Sequence, residues 1–154
     1  MKPHRAVALF ALALAAALPA APAPARDPGL LFSCRIGART ATVTADGPRL
    51  IYRFGPARRP EITIVAGRTG GGVFYRRERY VEWEEQLRFT RGDYSYILYS
   101  MAANPHADSS AISGLVVLRG TNRVSDQSCA RHASFTFGYD YEGLPQDSET
   151  FTAM

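Results

Sequence analysis

Residues 39–54 read RTATVTADGPRLIYRF, and this stretch decides the fold class. Arg39–Ala45 carries Thr40, Val43 and Thr44, whose branched side chains suit a pleated, half-buried strand. Asp46-Gly47 is a strong hairpin dipeptide. Arg49–Phe54 returns with Leu50, Tyr52 and Phe54 on one face and Arg49, Ile51 and Arg53 on the other. The pattern is strand, tight turn, strand.

Working outward, the same grammar repeats. Leu30–Arg35 precedes as a first strand. Gly55-Pro56 opens a turn that runs to Pro60, and Glu61–Val65 alternates Ile62 and Ile64 with Glu61 and Thr63. Gly70-Gly71-Gly72 is the most permissive backbone in the chain. Val73–Arg79 and Gln86–Thr90 read as strands, while Tyr80–Glu85 fits either a helical turn or a strand. Gly92-Asp93 makes a turn, and Tyr94–Ser100 follows with Tyr94 and Tyr96 on one face and Tyr99 on the other. Ala102–Ser110 has loop composition. Ser113–Leu118 is a nearly continuous apolar run expected in mid-sheet, and Asn122–Cys129 and Ser134–Tyr139 complete the set. Beyond Tyr141 the chain turns polar, which predicts a loose tail over 142–154. Short strands punctuated by turns predict an all-β protein, an antiparallel β-sandwich or small barrel of about eight strands, in a single domain over 26–141.

The remaining sequence places that domain. Residues 1–25 read as a secretory signal peptide: Lys2 and Arg5 form a positive start, Ala6–Leu18 is apolar, and Ala23-Pro24-Ala25 offers small residues for cleavage after Ala25. The expected compartment is periplasmic or secreted. No later run approaches the ~20 apolar residues of a membrane-spanning helix, so no transmembrane segment is expected in the mature chain. The 154 residues are 46% hydrophobic and 21% charged, too apolar for a disordered chain. The net charge of +4 falls to +2 without Lys2 and Arg5, which argues against a nucleic-acid partner.

Cys34 and Cys129 are the only cysteines. In an oxidising compartment such a pair forms one long-range disulfide. Leu31-Phe32-Ser33-Cys34 superficially matches a lipidation signal, but Phe32 is bulky where that signal wants a small residue. There is no CxxC, and His4, His106 and His132 make no ligand spacing, so neither metal nor cofactor is expected.

Several stretches carry the residue types of a chemistry. His106, Asp108, Ser109 and Ser110 are triad types, yet one short loop rarely gives triad geometry. Glu78, Glu82, Glu84 and Glu85 beside Trp83 could serve a glycosidase, but Arg76, Arg77, Arg79 and Arg88 suit cross-strand ion pairs equally well. Arg91-Gly92-Asp93 is the tripeptide integrins read, and also ordinary turn chemistry. Tyr75, Tyr80, Trp83, Tyr94, Tyr96 and Tyr99 make the middle of the chain aromatic, fit for a core, a sugar platform or an interface.

A small secreted β-protein with one long-range disulfide and a Gly-x-Tyr segment entering a strand resembles the bacterial periplasmic lysozyme inhibitors. In several members a Ser-Gly-x-Tyr loop enters the lysozyme cleft and engages the catalytic carboxylates. The matching segment is Arg91-Gly92-Asp93-Tyr94: Gly92 and Tyr94 match, Arg91 stands where the family carries Ser, and Thr90 supplies a hydroxyl one position earlier. The resemblance implies a non-enzymatic binding protein whose partner is a lysozyme-type hydrolase, met by a protruding loop of Thr90, Arg91, Gly92, Asp93 and Tyr94. The alternative is a module that stacks surface aromatics, Trp83 and Tyr96 first, on cell-wall glycan. A third reading is a hydrolase built on Glu82–Glu85.

Overall fold

The computed structural model describes residues 29–79 and 82–149. The expected leader over 1–25 lies outside these residues, as do Tyr80, Val81 and the last five positions.

Nine strands form two antiparallel sheets. The first sheet holds β1 (Gly29–Ile36), β2 (Arg39–Asp46), β3 (Arg49–Gly55) and β4 (Ile62–Gly67) in chain order. The second holds β5 (Val73–Arg79), β6 (Trp83–Arg91), β7 (Tyr94–Met101), β8 (Ile112–Arg119) and β9 (Asn122–Ser128), also in chain order. The architecture is a β-sandwich, not a closed barrel. Of the two states left open for Tyr80–Glu85, the described part from Trp83 onward is strand.

Four two-residue hairpins set the register. Gly37-Ala38, Gly47-Pro48, Gly92-Asp93 and Gly120-Thr121 each begin with glycine at φ +57° or +58°. Positive φ at the first turn position matches the twist of the flanking strands, and only glycine adopts it without cost. Asp46-Gly47 therefore marks the right hairpin one residue early: Asp46 is a ladder residue opposite Arg49.

Alternation then fills one core between the sheets. Phe32, Val43, Leu50 and Tyr52 meet Val73, Leu87, Phe89, Leu98 and Leu115 there. Tyr52 stacks on Phe89 with centroids 5.4 Å apart. Each such side chain contributes about 1.5–3 kcal/mol by leaving water. The outward side of the second sheet carries a smaller apolar cluster of Ile97, Tyr99, Val116 and Leu118. The Tyr99 ring there lies across Gly114, where a Cβ would come within 2.5 Å of the ring hydroxyl.

Residues 129–149 depart from expectation twice. Ser134–Tyr139 was expected as a strand but is irregular. Phe135 is buried and Phe137 is fully exposed, so the two-residue alternation fails, and Gly138 at φ +88° turns the chain. The expected loose tail over 142–154 is, as far as Glu149, docked. Leu144 and Asp147 are buried, and Asp147 accepts three hydrogen bonds from Arg88, at 2.8, 3.0 and 2.6 Å. Arg88 lies on the outward face opposite Ile97, and the docked segment buries it there, so its charge needs that partner.

This segment runs along one edge of each sheet. Ala130 N–H donates to Arg35 O and Thr136 N–H to Leu31 O on β1. Tyr75 N–H donates to Pro145 O and Asp147 N–H to Tyr75 O on β5. Unpaired strand edges invite pairing with other chains, and this segment covers part of one edge of each sheet, β1 and β5. The disulfide Cys34–Cys129 fastens its start to β1 with Cα atoms 5.2 Å apart.

Candidate functional site

Two surfaces bring chemistry-bearing side chains together. The first is the end of the second sheet. Thr90 and the exposed Arg91, Gly92, Asp93 and Tyr94 form the tip of the β6–β7 hairpin, a tight two-residue turn rather than a long loop. The neighbouring tip braces it through a hydrogen bond from Gly120 N–H to Asp93 O, 2.8 Å.

Register places Arg91 opposite Tyr94, and Tyr94 opposite Arg119. Directly opposed residues share a face, so the three side chains form a row across β6, β7 and β8. The Arg119 guanidinium lies 5.8 Å from the Tyr94 ring centre. Neither arginine is ion-paired among the described residues. Tyr94 is 38% exposed and continues an aromatic file out of the core, stacking on Tyr96 at 6.4 Å, which in turn meets Tyr52 at 5.5 Å. Tyr96 is therefore half-buried support rather than a free platform. Arg119 is the member sequence reasoning missed. Its proximity depends on β7–β8 register across the 102–111 connection, which no local pattern encodes.

The second surface is an open cleft of about 450 Å3 between the β5–β6 ribbon and residues 135–142. Tyr75, Phe135 and Tyr141 make its aromatic floor, with Tyr75 and Tyr141 stacked at 5.4 Å. Burial raises the pKa of Tyr75, as does the hydrogen bond its hydroxyl donates to Glu85 at 2.9 Å. The buried Tyr139 hydroxyl has no hydrogen-bond partner among the described residues. Phe137 stands on the rim. Trp83, 42% exposed, lies beyond Arg77, whose guanidinium sits 4.6 Å from its ring centre. Trp83 and Tyr96 thus belong to different surfaces. The Phe135–Glu142 wall was not singled out from sequence. Its signal was the aromatic density of Phe135, Phe137, Tyr139 and Tyr141.

The other candidates separate. Strand alternation puts Glu84 and Glu85 on opposite faces of β6. Ser109 Oγ accepts from the Asn104 backbone N–H at 3.0 Å within a turn, rather than facing His106. The serine–histidine contact lies elsewhere: Ser100 Oγ is 3.3 Å from His132 Nε2, with no described carboxylate on the other ring nitrogen. Among the described residues, no three His, Cys, Asp or Glu side chains cluster to hold a metal ion, and no helix is long and apolar enough to cross a membrane. In comparisons with known proteins, no family model, curated protein or solved structure matches this chain.

Proposed function

We propose that this is a secreted or periplasmic binding protein that occludes the acidic cleft of an envelope-directed hydrolase, a lysozyme foremost, with the end of its second sheet. The Arg91–Tyr94–Arg119 row carries this reading. Two guanidinium groups without acidic partners among the described residues flank an exposed phenol on a tight hairpin tip. Arginine forks pair carboxylates bidentately, and a lysozyme cleft presents two carboxylates. A rigid tip loses little entropy on docking.

The test is inhibition of c-, g- and i-type lysozymes by the oxidised protein. Inhibition of one class should weaken by about tenfold or more in Tyr94→Ala and in Arg119→Ala, since one charged hydrogen bond contributes about 1.5–3 kcal/mol. Inhibition unchanged in both variants contradicts the site. A second reading, cell-wall glycan binding in the aromatic cleft, draws on the exposure of Phe137 and Trp83. It expects retention on peptidoglycan that Trp83→Ala and Phe137→Ala together abolish.

A further inference from the structure

The outward face of the first sheet carries a different chemistry from either surface above. Ser33, Thr42, Arg53 and Thr63 lie opposite one another across β1, β2, β3 and β4. Arg35 and Thr40 form the adjoining row on one side; on the other side Thr44 lies in a row with the apolar Leu30, Ile51 and Val65. No acidic residue occupies these rows. Strand spacing of about 4.8 Å makes the Ser33 and Arg35 rows one lattice of hydroxyl and guanidinium groups, bordered by the apolar row.

The closing segment extends this face. Ala130 is hydrogen-bonded to Arg35, which brings Arg131 and His132 beside Ser33 and Arg35 around a cavity of about 420 Å3. A second cavity of about 150 Å3 continues over Thr40, Thr42 and Arg53. The two adjoin because Ser33 faces Thr42 and Arg35 faces Thr40. Arg35, Arg53 and Arg131 make no ion pair among the described residues, and Arg53 bonds only the Thr44 hydroxyl, at 3.3 Å.

We infer that this face binds an acidic polysaccharide, a chain of sugars bearing carboxylates at intervals. Guanidinium forks take the carboxylates, and the Ser and Thr hydroxyls, each both donor and acceptor, take the sugar hydroxyls. A nucleic acid fits less well, because this face offers no exposed aromatic ring for base stacking. The face is independent of the Arg91–Tyr94–Arg119 row, so either can fail alone.

The experiment uses protein produced with its own leader and purified oxidised from the periplasm. Binding is titrated with alginate oligomers, with uncharged dextran, and with phosphatidylglycerol vesicles. Alginate binds and dextran does not, and the affinity falls as salt is raised. Arg35→Ala and Arg131→Ala each weaken alginate binding about tenfold with an unchanged circular dichroism spectrum. Arg123→Ala, which removes the same charge from β9, leaves binding unchanged. Absence of alginate binding overturns the inference, as does equal binding of dextran, vesicle binding without alginate binding, or equal loss in Arg123→Ala.

Discussion

Residues 29–128 and residues 129–149 share one core but are held in it by different means. The strands of the first region are paired along their lengths by backbone ladders, and each hairpin turn lies beside the strands it joins. The second region follows one edge of each sheet for only a few backbone hydrogen bonds. Its position rests on the Cys34–Cys129 bridge, the Arg88–Asp147 pair and the buried Phe135, Tyr141 and Leu144 side chains. Local sequence can specify a ladder built from hairpins. A segment fixed by a few distant partners depends on each of them individually, so single changes there should act strongly and selectively.

The largest effect belongs to the disulfide. Replacing Cys34 and Cys129 together by Ser opens a bridge spanning 95 positions, with a loss of roughly 4–5 kcal/mol in the chain-entropy view. Urea unfolding measures it. Asp147→Ala leaves Arg88 buried without its carboxylate, at a cost of roughly 3–5 kcal/mol. In that variant, hydrogen exchange should show lost protection at the Asp147-side contacts of Tyr75 while the amides of β7 and β8 stay protected. Uniform loss across both regions would show that the two are not held by separate means.

Alkaline pH probes both regions at once. Burial raises the pKa of Tyr52 in the first region and Tyr141 in the second, and of Tyr75 between them. A raised phenol pKa means the unfolded chain ionises first. The stability these groups contribute is complete below about pH 10. It is lost as the pH climbs from there through the raised folded-state values. Urea midpoints measured from pH 8 to 11 should fall only above that point, and less steeply in Tyr141→Phe. The smallest effect belongs to Tyr52→Phe. The Tyr52 hydroxyl is buried with no partner among the described residues, so its removal should raise stability by about 1 kcal/mol.

The same contrast explains what could be read from sequence. Every strand from β1 to β9 was legible to within a few residues, because Val, Ile and Thr alternate with polar residues between glycine turns. The hairpin holding Gly92 and Tyr94 was legible for the same reason. Phe135, Phe137 and Tyr139 mimic a strand period, yet the Gly138 turn and the contacts of Tyr141 with Phe135 and Tyr139 override it. Asp147 reads as a tail residue until Arg88, 59 positions earlier, is placed beside it. Arg119 joins Tyr94 only through inter-strand register, and the basic face emerges only when β1, β2 and β3 are laid side by side.

The most direct measurement is calorimetric titration of the protein into each lysozyme class, with the cleft empty and with the cleft filled by a saturating chito-oligosaccharide. Binding to at least one class is expected, displaced by the oligosaccharide and abolished by Arg91→Ala with Arg119→Ala. No binding to any class, or binding unaffected by a filled cleft, would contradict the proposed role.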